Sequence, residues 1–288
     1  WLATSQGVAR YAPLLWRTPP EVAPIQTNCH AIHEDQKGRL WFLCQDKLVL
    51  LQNEQWTFID LPEQSNWYSK TGLLSLPNGH LRIPVFFKTL VFNPESMTFY
   101  YLQHPENNRR LRCFQAGPNN TLLIESVGNN TKRLEMYDGD TYKTILERDQ
   151  WGVSDEGNFH AAQIIDNGTI FIGGATGLAR YQNGNYQIMG PEEGLPIQFD
   201  GALNLLDIGD STIWIGGRKK LLQYKDNRFT EIAEIGRIHN MTKADDGSIW
   251  VASEKGIYHF FNGSFISYSQ EEGLPNATMR TVFQDSQG

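Results

Sequence analysis

Residues 271–288 read Glu271-Glu272-Gly273-Leu274-Pro275-Asn276-Ala277-Thr278-Met279-Arg280-Thr281-Val282-Phe283-Gln284-Asp285-Ser286-Gln287-Gly288. They stop on a turn signal, Asp285 to Gly288, with no strand after it. The chain begins at Trp1 with a strand-like stretch that has no turn before it. Elsewhere the same turn leads into the same kind of strand: Asp35-Gln36-Lys37-Gly38 runs into Arg39-Leu40-Trp41, and Asp245-Asp246-Gly247 into Ser248-Ile249-Trp250. The two ends therefore read as two parts of one repeating unit.

Anchoring on the residue three places after the turn glycine gives the period. The slot holds Trp1, Trp41, Arg82, Leu123, Phe171, Trp214 and Trp250, at spacings of 40, 41, 41, 48, 43 and 36 residues. A repeat of about 41 residues is the length of a propeller blade. Each unit has one grammar. An apolar strand precedes a turn such as Pro77-Asn78-Gly79 or Asp166-Asn167-Gly168. The anchor strand follows, for example residues 170–173, 213–216 or 249–252. A third strand and a two-residue turn, Asn183-Gly184 or Asn262-Gly263, lead to a fourth. Asn and Gly accept the positive φ that such hairpin turns demand. Helical periodicity is absent. The expectation is an all-β, seven-bladed β-propeller of four-stranded antiparallel blades. It would be a single domain over residues 1–288, its last blade shared between residues 279–288 and 1–12 so that strands from both termini close the ring and leave no open edge. The second and third units are the weakest, because Arg82 and Leu123 replace the aromatic and Pro84 interrupts a strand.

Composition narrows the function. Among 288 residues the formal net charge is −7, which argues against nucleic acid as a partner. No apolar run is long enough to span a bilayer, so no membrane contact is expected within the chain. The sequence has no initiator Met and reads as a piece of a larger protein. The cysteines are Cys29, Cys44 and Cys113. A hairpin closed by the turn at 35–38 would set Cys29 nearly opposite Cys44. A cross-strand disulfide and two buried thiols are the alternatives, and the burial preference of free cysteine favours the thiols. No metal-ligand spacing, nucleophile elbow or phosphate loop occurs, so neither a metal nor a cofactor is expected, and no catalytic residue is assigned.

Two segments carry a resemblance. Glu271-Glu272-Gly273-Leu274-Pro275-Asn276 with residues 282–288, and Glu192-Glu193-Gly194-Leu195-Pro196, resemble the junctions of two-component regulator propeller repeats. The run from Phe171 through Gly173-Gly174 and Gly177-Leu178 to Tyr181 is similar to the family's following strands. The resemblance implies a seven-bladed propeller in the periplasmic sensor region of a bacterial membrane receptor, often a hybrid histidine kinase and sometimes a diguanylate cyclase. It implies neighbouring receptor domains as partners and glycan fragments as a ligand class; a homodimer is a further candidate partner, and the sequence does not fix the oligomeric state.

The residues themselves suggest where a ligand would sit. Eleven positions before the anchors from Trp41 onward, and before the next slot expected at position 291, a column reads His30, Thr71, Arg112, His160, Leu203, His239 and Arg280. Two positions earlier it reads Asn28, Ser69, Arg110, Asn158, Gly201, Arg237 and Thr278. Residues two apart on a strand share a face. The starts of the innermost strands rim the axis, so His30, Arg110, Arg112, His160, Arg237, His239 and Arg280 are candidate ligands for an anionic group such as a uronate or sulfate. The bland alternative is that strand ends are polar because water reaches them. Trp67, Tyr68 and Trp151, in long loops on the same end, are candidate sugar-stacking platforms; loop anchoring is the alternative, above all for Trp151. Asp35 and Asp285 resemble a sialidase Asp-box but read better as turn stabilisers. A polysaccharide lyase or hydrolase would need an acid/base pair, for which Asp155, Glu156 and Asp200 are available. A scaffold without a small ligand is the third reading.

Overall fold

A computed structural model describes residues 18–287 apart from 26, 66–71, 86–87, 129, 154–156, 166 and 197–198, together with strands β1 (Leu2–Thr4) and β2 (Gly7–Ala9). Six four-stranded antiparallel sheets follow in chain order. Blade one is β3 (Cys29–Glu34), β4 (Leu40–Cys44), β5 (Lys47–Gln52) and β6 (Gln55–Asp60). Blade two is β7 (Leu74–Ser75), β8 (Leu81–Pro84), β9 (Thr89–Asn93) and β10 (Thr98–Tyr101). Blade three is β11 (Arg110–Ala116), β12 (Leu122–Gly128), β13 (Thr131–Tyr137) and β14 (Tyr142–Arg148). Blade four is β15 (Ala161–Ile164), β16 (Ile170–Gly173), β17 (Leu178–Gln182) and β18 (Asn185–Ile188). Blade five is β19 (Asn204–Gly209), β20 (Thr212–Gly216), β21 (Lys220–Lys225) and β22 (Arg228–Glu234). Blade six is β23 (Ile238–Lys243), β24 (Ile249–Ser253), β25 (Gly256–Phe261) and β26 (Ser264–Tyr268). In each, consecutive strands are neighbours, and β11, β15, β19 and β23 lie side by side in succession. This is a propeller.

The hairpin grammar is realised in the backbone. Asn183 and Gly184 take φ of 49° and 81°, and Asn262 and Gly263 take 50° and 76°, the left-handed pair a two-residue hairpin needs. The Asp35 turn is a hydrogen-bonded node. Its Oδ1 accepts from the amides of Lys37 (2.9 Å) and Arg39 (3.1 Å), and its Oδ2 from Trp41 Nε1 (2.9 Å) and Arg39 Nε (2.6 Å). Burial alone would raise the Asp35 pKa. The bonds from Trp41, Arg39 and the two amides outweigh it, and the carboxyl titrates below its ordinary value. Asp35 is thus a turn stabiliser, as its sequence context suggests.

The anchors pack each blade on the next. Trp41 meets Phe92 edge-on with ring centroids 5.6 Å apart, Phe171 meets Tyr224 at 5.3 Å, and Trp214 meets Phe260 at 5.2 Å. Leu123 joins a core shared with blade four, and Arg82 is buried with its guanidinium on the Gly72 carbonyl.

Among the described residues six blades form, not seven, which corrects the count expected from the period. Residues 275–285 carry no strand, and among the described residues β1 and β2 pair only with each other. Side chains of blade six occupy the backbone of the C-terminal stretch instead. Asn240 Oδ1 accepts from the Val282 amide (3.2 Å), and Thr242 Oγ1 donates to the Val282 carbonyl (2.8 Å). The Ser286 amide then reaches Glu34 Oε2 of blade one at 2.8 Å. The physical reason is hydrogen bonding. Each complete blade is a run of short hairpins, whereas at Val282 the amide and carbonyl that a further ladder would use are already satisfied by Asn240 and Thr242.

The second correction concerns the cysteines. Cys29 and Cys44 are direct cross-strand partners of β3 and β4 and are joined by a disulfide.

Candidate functional site

Two column residues meet. A cleft of about 520 Å³ lies between the start of β3 and residues 275–281. His30 and Arg280 both line it, with Asn28 and Thr278 from the neighbouring column, and Phe42 and Met279 supply apolar wall. His30 sits where the register of β3 against β4 shifts, between Cys29 and Ala31. Such a bulge re-aims a side chain away from the regular pleat. His239 occupies the corresponding shift in β23, between Ile238 and Asn240.

Position decides the electrostatics. Burial pushes the His30 pKa down to about 4; the Asn28 backbone partly offsets this, and the Arg280 charge lowers it further. At neutral pH the imidazole is therefore uncharged, with Nε2 3.5 Å from Ser65 Oγ, and the positive charge of the cleft is that of Arg280. One permanent cation beside a neutral ring that can donate or accept is suited to an anionic or polar group.

The other predicted residues scatter. Arg110 is exposed and opens on a different cleft, between blades two and three. Arg112 is half-buried and pairs across the ladder with Glu125. His160 immediately precedes β15, its amide donating to the Gly173 carbonyl at 2.7 Å. The Arg237 carbonyl accepts from the Glu254 amide at the start of β23. Trp67 and Tyr68 lie outside the described residues, as do Asp155 and Glu156.

Trp151 is a correction. It is fully buried, packs edge-on against Phe159, and donates from Nε1 to the buried Glu125 at 2.8 Å, while its carbonyl accepts from the Tyr186 hydroxyl. It packs in the seam between blades three and four, in one buried cluster with Leu123, Val153 and Phe159. Its ring is not available to a sugar. Asp200 accepts from the Arg218 amide at 3.2 Å and so organises a turn.

The sequence reading missed Ser65, Phe42 and Met279 around His30, because only tertiary packing brings three segments together there. Among the described residues no group of three or more His, Cys, Asp or Glu could hold a metal ion, and no helix is long and apolar enough to cross a membrane.

No protein-family model and no curated protein matches the sequence. Solved structures do match. One is described as the extracellular domain of the hybrid two component system BT3049 from B. thetaiotaomicron, with a TM-score of 0.70 at 18% identity, covering 96% of this chain and 40% of that one. The chain has the fold of part of that extracellular domain. A second, from the one component system BT4673 of the same organism, has a TM-score of 0.70 at 17% identity, covering 90% of this chain and 36% of that one. The chain thus spans well under half of either relative. The propeller of virginiamycin B lyase from Staphylococcus aureus matches at a TM-score of 0.62 and 14% identity, over 86% of both chains. At these identities the likeness establishes the fold alone.

Proposed function

We propose that this chain is the ligand-sensing propeller of a bacterial two-component receptor, placed in the periplasm, and that the His30–Arg280 cleft receives the anionic group of a glycan fragment. The observation that carries the reading is the meeting of His30 and Arg280, 250 residues apart in the sequence, in one cleft of mixed polar and apolar lining. The fold shared with part of the extracellular domain of the hybrid two component system BT3049 supports the setting. The Cys29–Cys44 disulfide supports an oxidising compartment.

In this reading Arg280 supplies charge, and His30, Asn28, Asn276 and Thr278 supply hydrogen bonds. The cleft joins blade one to the 275–286 stretch, which is bonded to blade six, so a ligand bridging them would favour one arrangement of the two chain ends. The neighbouring domains of the receptor, or a second protomer, would read that arrangement. A ligand shifts it only by its differential affinity for the two arrangements.

The test is a thermal-shift screen with uronate-containing, sulfated and neutral oligosaccharides, each mixture then assayed for product. Stabilisation by an anionic sugar, abolished in Arg280→Glu and without turnover, supports the sensor. Turnover would move the chain to the lyase or hydrolase class, and no stabilisation by any sugar would favour a scaffold.

A further inference from the structure

The connection from blade two to blade three folds over a second cleft, of about 500 Å³, lined by Lys88, Thr89, Tyr101, His104, Arg109 and Arg110. Its floor contains a buried cation. Arg109 is only 5% exposed, yet its guanidinium bonds neutral oxygens alone: Nε to Ser126 Oγ (2.9 Å), Nη2 to the Ser126 carbonyl (2.9 Å) and Nη1 to Thr131 Oγ1 (3.4 Å). A buried charge is ordinarily paired with a counter-charge. Three of the five guanidinium donors are used by these bonds.

None of the nearby carboxylates bonds the Arg109 guanidinium among the described residues. Glu106, which feels the Arg109 charge, is ion-paired with Arg133 at 2.6 Å. Glu135 lies 3.2 Å from His104 Nε2, and Glu63 accepts from the Tyr101 hydroxyl. Two further cations line the cleft. Lys88 is held with its ammonium 4.6 Å from the Tyr101 ring centroid, and Arg110 is exposed at the start of β11. A second buried polar group has no partner at all: Thr89 Oγ1, on a residue 2% exposed, which lines the same cleft. The fold makes room for the arrangement. A Cβ on Gly128 would come 3.1 Å from Arg109 Cγ and 2.6 Å from the Asn108 carbonyl oxygen, so the arginine stem runs where only glycine fits.

We propose that this cleft binds an oxyanion, a sulfate, phosphate or carboxylate group. Arg109 and Thr89 would hold it from below, and Lys88 and Arg110 would close over it. The site is separate from the His30–Arg280 cleft and does not depend on the sensor reading. The group could come from a free inorganic ion or from an ester on a larger molecule; the recognition chemistry is the same.

Isothermal titration of the chain with sodium sulfate, against sodium chloride at matched ionic strength, tests the proposal. The expected result is saturable binding, about tenfold weaker in each of Lys88→Ala and Arg110→Ala for the loss of one charge-assisted contact. Both residues are exposed, so these variants keep the fold, which Arg109→Ala does not guarantee. A monosaccharide sulfate ester is titrated in parallel with its neutral parent sugar. Tighter binding of the ester than of sulfate identifies a larger ligand, equal affinity identifies the free ion, and either supports the site. Absence of saturable heat with both sulfate and the ester overturns the proposal. So does wild-type affinity in the Lys88→Ala/Arg110→Ala double variant, or loss of binding in Arg280→Glu alone, which would assign the anion to the other cleft.

Discussion

Lowering the pH from 7.5 to 4.5 should destabilise the protein through His30. The imidazole is buried and sits beside Arg280, so its pKa falls from 6.5 to about 4. The unfolded chain takes up a proton near 6.5, whereas the folded chain resists until about 4. Between those values the unfolded state binds more protons, and stability falls as pH falls. Full stabilisation holds above 6.5 and is lost progressively down to about 4. At pH 4.5 the difference amounts to about 2.5 kcal/mol at one pKa unit per 1.36 kcal/mol, and roughly 2 kcal/mol once partial solvent screening of the cleft is allowed for. Urea unfolding of the wild type and of His30→Gln at both pH values isolates the effect. The wild type should lose about 2 kcal/mol more than the variant. Proton NMR of the His30 ring should show a titration near 4, moving upward in Arg280→Ala. A His30 titration at 6.5, or equal acid losses in wild type and variant, would refute the desolvated, cation-flanked description of the cleft.

Three further outcomes test the packing. Asp35→Ala orphans the buried Trp41 indole and removes the Arg39 partner, and should cost about 3 kcal/mol by urea denaturation at pH 7, with Asp35→Asn intermediate. Trp151→Ala empties the seam between blades three and four and strips Glu125 of its indole donor; a loss of about 4 kcal/mol is expected in the same assay, without a specific effect on ligand binding. Reduction of the disulfide, or Cys44→Ala with Cys29→Ala, should lower stability by about 3 kcal/mol, the chain-entropy value for a loop of its length; an unchanged midpoint in reductant would mean the bond contributes nothing.

Much of this was legible in local chemistry. Asp35-Gln36-Lys37-Gly38 and Asn183-Gly184 specify turns through side-chain acceptors and positive φ, which need no distant partner. Alternating apolar strands between such turns specify four-stranded blades, and the recurrence of the anchor slot every 36 to 48 residues specifies their repetition. The column through His30 and Arg280 was visible because one register repeats in every unit.

Tertiary structure alone decided the rest. Whether the split seventh unit closes depends on pairing between chain ends, and the bonds at Val282 go to Asn240 and Thr242 instead. Whether Trp151 offers its face to a ligand or fills a seam depends on its packing with Leu123 of blade three and on the buried Glu125. Arg109 has no distinction in the sequence from Arg110 beside it; one is buried against Ser126 and the other faces water. Turns and strands follow from energies between near neighbours in the chain. Burial, pKa and the company of charges follow from packing between blades, which no repeat period encodes.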